Sequence, residues 1–494
     1  MADMDKLRIL MAASEAGPYV RTGGLGDVMG ALPAALAARG HDVKVILPRY
    51  STIDGRRHRF SLLLDDVPVP DGGEMSHASI ERAGDSARGV EYLFVGHSDY
   101  FGRAGLYVDP KTGADFRDNH LRFAFFSRAV LELTRTLDWR PDVIHVHDWQ
   151  TGLVPAYLRV HYAHDSDLQN CRTILTIHNL GYQGLFEREC FADLDLPKEM
   201  FYAATGAVEF YDQVNFLKAG IVLADKVTTV SPRYAREIQS SEEFGCGLQG
   251  VLAARAADLM GILNGVDYSI WSPKTDRLIP FRYGPSNLSG KGMSRVALLN
   301  RAGLPQREKT PVIGLVTRLT SQKGIDLLIE AAAELFKLDI QMVILGDGDE
   351  AYHLSLKALE KEYPDKLRVW FEFNDALAHL IQAGSDAFLM PSRYEPCGLN
   401  QMYALKYATV PIVRAVGGLA DTVHDYDPRT SEGDGFVFED YTREEMIAAV
   451  RRVAQLFPRR REWGKLMKAG MRADFSWAKS AASYENLYRL LSGS

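Results

Sequence analysis

Arg318 and Lys323 stand five positions apart in Arg318-Leu-Thr-Ser-Gln-Lys323-Gly324, directly after the apolar run 312–316. On a loop at a strand end, two cations at that spacing can reach one diphosphate, arginine through its planar fork and lysine as a point charge. The plain alternative is a solvated basic loop. Glu395 lies in Pro391-Ser-Arg-Tyr-Glu395-Pro-Cys397-Gly398-Leu399, after the apolar run 387–390. A carboxylate held there between turn formers can accept hydrogen bonds from sugar hydroxyls, or can complement the dipole of a following helix. Gly417-Gly418-Leu419-Ala-Asp-Thr422 follows the run 410–413 and opens another helix, so its amides form a second candidate anion cradle or a simple turn.

The first half carries Arg21-Thr-Gly23-Gly24-Leu-Gly-Asp27-Val28 between an apolar run and a helical segment. Glycines there admit a ligand to the backbone, and amides that open a helix attract anions. A tight strand-to-helix turn needs the same residues, and the spacing is not the dinucleotide fingerprint. Two further strand ends carry histidines, His145-Val-His147-Asp148-Trp149 and Thr176-Ile-His178-Asn-Leu180. His-x-His-Asp invites a metal, yet no third ligand is evident. Asp347-Gly-Asp349 could hold a divalent cation against a diphosphate, but after Leu345-Gly346 it reads as a plain turn. The four cysteines are scattered without a Cys-x-x-Cys spacing, which disfavours zinc and a disulfide framework alike. The sequence predicts no metal site and a reducing compartment.

These motifs lie at the ends of short β-branched runs, each followed by a segment of helical period, the pattern of βαβ units and parallel sheets. The pattern occurs twice, with runs at 7–12, 43–47, 92–95, 143–146, 173–177 and 226–230, then at 312–316, 341–345, 367–371, 387–390, 410–413 and 435–438. Between the sets, Gly261-Ile-Leu-Asn-Gly-Val-Asp267 and a Pro-, Ser- and Gly-containing stretch to 292 mark a crossover. A chain of 494 residues exceeds one core, since cores stop growing at roughly 250–300 residues. The expectation is an α/β protein of two doubly wound domains with a cleft between them, 1–262 and 263–474, and a C-terminal helix within 475–494 that returns to the first domain. Ligands of such sheets sit beyond the carboxyl ends of the strands.

Composition, 46% hydrophobic and 24% charged, is that of a globular protein, and a net charge of −7 disfavours a nucleic-acid partner. No run is long enough to cross a bilayer. The N-terminus lacks a basic segment before its apolar run and reads as a first strand rather than a leader, which predicts a cytoplasmic protein without a membrane partner.

Taken in order, the motifs resemble those of the bacterial glycogen synthases and plant starch synthases, glycosyltransferases of the GT-B fold, whose two Rossmann-like domains face each other across a deep cleft. The resemblance runs through Thr22-Gly-Gly-Leu, His147-Asp-Trp-Gln, Thr176-Ile-His-Asn, Asn264-Gly-Val-Asp, Arg318-Leu, Gln322-Lys-Gly-Ile-Asp, Ser392-Arg-Tyr-Glu-Pro-Cys-Gly-Leu and Gly417-Gly-Leu-Ala-Asp-Thr-Val, nearly the whole chain. It implies a retaining hexosyltransferase that moves glucose from ADP-glucose onto the non-reducing end of glycogen or another α-1,4-glucan, with ADP-glucose as co-substrate and no metal or other cofactor.

By position, the resemblance makes Arg318 and Lys323 the groups that neutralise the departing diphosphate, and Glu395 the one that holds glucose hydroxyls. It sets His178 beside the anomeric carbon and makes Asp148 an acidic residue lining the same cleft. Donor binding is implied for Arg21, Gly23, Gly24 and Asp27, for Cys397, Gly398 and Leu399, and for the amides around Gly418, Leu419 and Thr422. Phe373 falls where relatives often place a tyrosine against adenine, and its face can stack there. Arg21 stands where the family usually has lysine, so charge is kept while a compact ammonium becomes a fork. Rival readings are a GT-B transferase of sucrose or trehalose-phosphate synthase type, a metal-dependent transferase using Asp347 and Asp349, and a non-catalytic glucan-binding protein.

Overall fold

A computed structural model describes residues 6–84, 89–202 and 206–493. Residues 1–5, part of the N-terminal stretch read as leading into a first strand, and residue 494 at the end of the expected C-terminal helix lie outside them.

The β-branched runs form strands buried on both faces, as parallel sheets require; all five positions of Val143–His147 are buried. A nine-stranded sheet has the order Leu259–Gly261, Lys226–Thr229, Arg172–Ile177, Val143–His147, Arg8–Ala12, Asp42–Pro48, Val90–Gly96, Glu74–Arg82, Ser61–Asp71. From the central Arg8–Ala12 the chain first winds one way, to Asp42–Pro48, and later returns on the other side as Val143–His147. The winding therefore reverses between Arg8–Ala12 and Val143–His147, the place where doubly wound sheets bind ligands.

The second sheet has six parallel strands in the order Leu367–Trp370, Gln341–Leu345, Val312–Val316, Ala387–Met390, Val410–Arg414, Phe436–Phe438. Here the reversal falls between Val312–Val316 and Ala387–Met390. Its helices close over a core that includes Ile313, Leu328, Ile344, Leu389, Val450 and Trp463.

All twelve runs read from the sequence are strands, and the structure adds others. Ser61–Asp71 and Glu74–Arg82 pair antiparallel at the edge of the first sheet. Ser61–Asp71 contains Pro68 and Pro70, which cannot donate to a ladder and are tolerated on an edge. Exposed and buried positions do not alternate cleanly along it, which hid it from a periodicity reading. Leu259–Gly261 and the small sheet of Leu185–Phe186, Glu209–Phe210 and Gln213–Asn215 are too short to show a period.

The chain divides into two compact units, the first running to Val230 and then covering Ala235–Gly265 and Trp477 onward, the second comprising Ser231–Tyr234 and Val266–Ser476. The sequence reading drew its crossings at 262 and 474. The helix Trp477–Ser492 packs within the first unit through polar anchors. Glu485, 2% exposed, accepts from Arg39 and Arg489 and lies 3.4 Å from His41 Nε2. Tyr488 OH is 2.8 Å from His145 Nδ1, and Ser480 Oγ donates to Leu263 O at 2.6 Å. The crossover segment is fixed to the second unit by Trp271, stacked on His379 at 3.8 Å and on Tyr403 at 4.0 Å. Asp276 beside it binds His379 at 2.7 Å and Tyr407 at 2.6 Å. No helix among the described residues is long and apolar enough to cross a membrane.

Candidate active site

In the second unit the loops after the two strands flanking the reversal meet. Lys323 Nζ donates to Glu395 Oε1 at 2.8 Å and Oε2 at 2.6 Å, and Ser392 Oγ donates to Glu395 Oε2 at 3.0 Å. The pair is largely shielded, the lysine side chain 17% and the glutamate 7% exposed. The sequence reading gave these residues separate tasks; the fold makes them an ion pair. Gly324, at φ 75°, lets the lysine loop press against the glutamate loop, since a Cβ there would lie 2.1 Å from Pro391 O. Arg393 fixes the same loop by pairing with Asp326 at 3.1 Å and stacking on Tyr441. Arg318 is exposed at the end of Val312–Val316.

Several amides of Gly417–Thr422, the expected anion cradle, are engaged within the fold. Gly418 N donates to the carbonyls of Glu395 and Pro396, each at 3.2 Å, and Leu419 N and Ala420 N both donate to Val416 O. Thr422 is buried, its Oγ1 donating to Gly418 O at 2.6 Å and accepting from Gln401 Nε2 at 3.1 Å. Gly418 thus holds the glutamate loop from behind, while Leu419 N and Thr422 Oγ1 donate to Val416 O and Gly418 O. Cys397 is buried, while Gly398 and Leu399 are partly exposed at the start of Asn400–Lys406. Phe373 is 79% exposed.

In the first unit, Glu15 organises the loop after Arg8–Ala12. One carboxylate oxygen accepts from Thr22 N, and the other from Thr22 Oγ1 and Tyr107 OH, both at 2.7 Å. Arg21 pairs with Asp27 at 3.0 Å across the start of the helix Gly24–Ala37. Among the described residues, a Cβ on Gly23 or Gly24 would meet nothing within 4 Å beyond its own chain neighbours and helix backbone, so no packing contact there demands glycine. Close approach by a ligand would.

Asp148 ends Val143–His147 in a strained conformation, φ 57° and ψ −171°. Its Oδ1 accepts from His178 N at 2.7 Å. Burial pushes its carboxyl up to about 7, against the hydrogen bonds from the His178 and Asn179 amides, and the neighbouring Glu15 adds to the rise. His178 Nε2 lies 3.0 Å from His147 Nδ1, and burial pulls the His178 imidazole down to about 3. It is neutral at physiological pH.

Two of the candidate metal ligands, His145 and Asp347, have their polar atoms engaged within the fold. Both ring nitrogens of His145 are engaged, by Tyr488 OH and by Thr176 Oγ1 at 2.6 Å. Asp347 accepts from Gly348 N at 2.9 Å and lies 3.0 Å from His353 Nε2. Among the described residues no group of three or more His, Cys, Asp or Glu could hold a metal ion.

Glu15 and Tyr107 carry no role in the sequence reading, Ser392 stands there only as a neighbour of Glu395, and His147 only as a candidate metal ligand and a motif residue. Glu15 had a signal, a carboxylate just past the first strand. The others are chemically ordinary until the fold brings them to their partners.

Residues 8–254 match the family model for the starch synthase catalytic domain, and residues 298–469 that for glycosyl transferases group 1. A glycogen synthase of Anaeromyxobacter sp. (strain Fw109-5) is 48% identical over 486 residues, 98% of this chain and 99% of the relative. The chain belongs to the glycogen and starch synthase family. A glycogen synthase of Koribacter versatilis (strain Ellin345) is 46% identical over 482 residues, covering 98% of each chain. Among solved structures, the catalytic domain of starch synthase IV from Arabidopsis thaliana, bound to ADP and acarbose, superposes with a TM-score of 0.90 at 33% identity, covering 99% of this chain and 100% of that one. A sucrose-phosphate synthase from Thermosynechococcus elongatus, at 19% identity and a TM-score of 0.60 over 98% of this chain and 99% of that one, shares the fold. Both sheets of this glycogen and starch synthase family member are those of GT-B transferases, with a Rossmann-like strand order in each unit.

Proposed function

We propose that the chain transfers glucose from ADP-glucose to the non-reducing end of an α-1,4-glucan with retention of configuration, as a glycogen synthase. The observation that carries the reading is the Lys323–Glu395 pair at the reversal of the second sheet, within a chain whose full-length relatives are glycogen synthases. Breaking the bond between C1 of glucose and the diphosphate oxygen leaves positive charge on C1 and negative charge on the phosphate. Fixed cations aimed at that oxygen stabilise it without rearrangement. Arg318 and Lys323 take this role, and Glu395, tied to Lys323 and Ser392, accepts from glucose hydroxyls. His178, neutral, and Asp148 attend the sugar.

The glucan O4 bonds to C1 on the face the phosphate leaves, and the O4 proton passes to the departing phosphate oxygen, so no enzyme carboxylate need form a glycosyl bond. Arg21, Asp27, Gly23 and Gly24 bind the donor, and Phe373 stacks on its adenine. No metal ion is required in this scheme. ADP as a ligand of the starch synthase IV domain supports the adenine donor. Four free cysteines support a cytoplasmic site of action.

The test is transfer of radiolabelled glucose to glycogen from ADP-glucose and UDP-glucose in parallel, with EDTA present. The expected result is α-1,4-linked product from ADP-glucose at full rate. Product on fructose 6-phosphate or glucose 6-phosphate instead of glycogen, or abolition by EDTA, overturns the reading.

A further inference from the structure

His147 lies fully buried at the end of its strand, next to the residues assigned to the sugar. Its Nδ1 is 3.0 Å from His178 Nε2, whereas its own Nε2 is buried and has no hydrogen-bond partner among the described residues. The two rings therefore share one proton-bearing contact, and only two arrangements are possible. If His178 Nε2–H donates, His147 must carry its proton on Nε2, as a buried N–H with nothing to accept it. If His147 Nδ1–H donates, the orphan on His147 is a lone pair. Buried N–H groups without a partner are rarer and costlier than under-used acceptors, which decides for the second arrangement.

We infer that His147 is a positioning residue: its Nδ1–H donates to His178 Nε2 and so fixes His178 as the Nδ1–H tautomer, a hydrogen-bond donor toward the sugar and not an acceptor or base. The surroundings keep the pair in this state. Burial holds His147 well below the ordinary histidine range and His178 at about 3, so neither ring becomes a doubly protonated donor near neutral pH. The His147 ring is fixed by its neighbours, His145 lying 4.2 Å away centroid to centroid and Thr151 Oγ1 accepting from His147 N at 2.8 Å. His145 is in turn held at both nitrogens, one of them by Tyr488 of the C-terminal helix. Donor-only character suits a hydroxyl or ring oxygen of glucose, and denies His178 the part of a proton acceptor from the glucan.

This inference rests on the reading that His178 meets the glucosyl group, and the experiment separates the two. Full-chain protein labelled with nitrogen-15 in histidine is examined by long-range proton–nitrogen correlation, with His178 and His147 assigned by substitution. The expected spectrum has His178 protonated at Nδ1 and bare at Nε2. His147→Leu should lose that preference and lower kcat by about 10- to 100-fold, the cost of one misdirected hydrogen bond. His147→Asn, which can offer an amide N–H where Nδ1–H lay, should restore the tautomer and most of the lost rate. A wild-type His178 protonated at Nε2, or a tautomer unchanged in His147→Leu, overturns the inference even if His178→Ala is inactive. Full activity in His178→Ala with the tautomer as inferred removes His178 from the reaction, and with it the donor role assigned here.

Discussion

Lys323 Nζ sits between both carboxylate oxygens of Glu395, at 2.8 and 2.6 Å, and so each charge is the other's principal partner. The two residues come from loops after adjacent strands, Val312–Val316 and Ala387–Met390. A lysine held this way is aimed before a diphosphate arrives, and a glutamate held this way keeps its oxygens oriented for hydroxyl donors.

Lys323→Ala should lower kcat by roughly 10²–10³, the cost of removing one preorganised donor from developing negative charge. It should also lower Tm, because Glu395 is left as a shielded, unpaired charge. Steady-state kinetics with ADP-glucose and glycogen, beside a thermal melt, read both; near-normal turnover removes Lys323 from the mechanism.

Phe373→Ala should raise the KM for ADP-glucose by about 5- to 160-fold, as expected when a base loses an aromatic face worth about 1–3 kcal/mol. Because the ring is 79% exposed, Tm should stay unchanged. An unaltered KM places the adenine elsewhere.

Asp148 should give kcat a titration near pH 7. Its folded carboxyl is raised to about 7, so it is largely protonated below that and ionised above, and the ionised form is the one that stabilises positive charge at C1. The rate should rise with pH through this window in the parent. Asp148→Asn keeps an oxygen for the His178 amide and should be slower with that limb absent; a limb that persists assigns the titration to another group.

The strands and loops of this site were legible because parallel strands buried on both faces are short apolar runs and their ends are marked by Gly, Asp and His. Arg318, Lys323 and Glu395 could be singled out from position alone. What could not be read is which donors the fold itself consumes. The amides of Gly418 and Leu419 look like an anion cradle in sequence, and only the fold shows Gly418 N donating to the carbonyls of Glu395 and Pro396 and Leu419 N donating to Val416 O. Likewise Glu15 and His147 acquire meaning from partners 7 and 31 residues away, Thr22 and His178.

Lys291 offers a test of stability in the second unit. It is 6% exposed, its Nζ donating to Gln382 O and Thr409 Oγ1, and burial pulls it from 10.5 to about 7. Between those values the unfolded chain binds one proton more than the folded one, so stability rises with pH across the window. Below about 7 both states are protonated and the burial penalty is felt in full. Lys291→Met should raise Tm at pH 7 and flatten the pH dependence of Tm up to about 10 relative to the parent; parallel curves for the two proteins refute this.

The helix Trp477–Ser492 brings one more consequence, for synthesis. Glu485 and Tyr488 are the partners of Arg39 and of His145, so the unit begun first is finished by residues made after the second unit. While the ribosome is still translating the second unit, the first holds Arg39, His41 and His145 without their C-terminal partners. Its completion waits on synthesis of the second unit, and a stop codon shortly before Trp477 would leave the N-terminal unit, not the C-terminal one, incomplete.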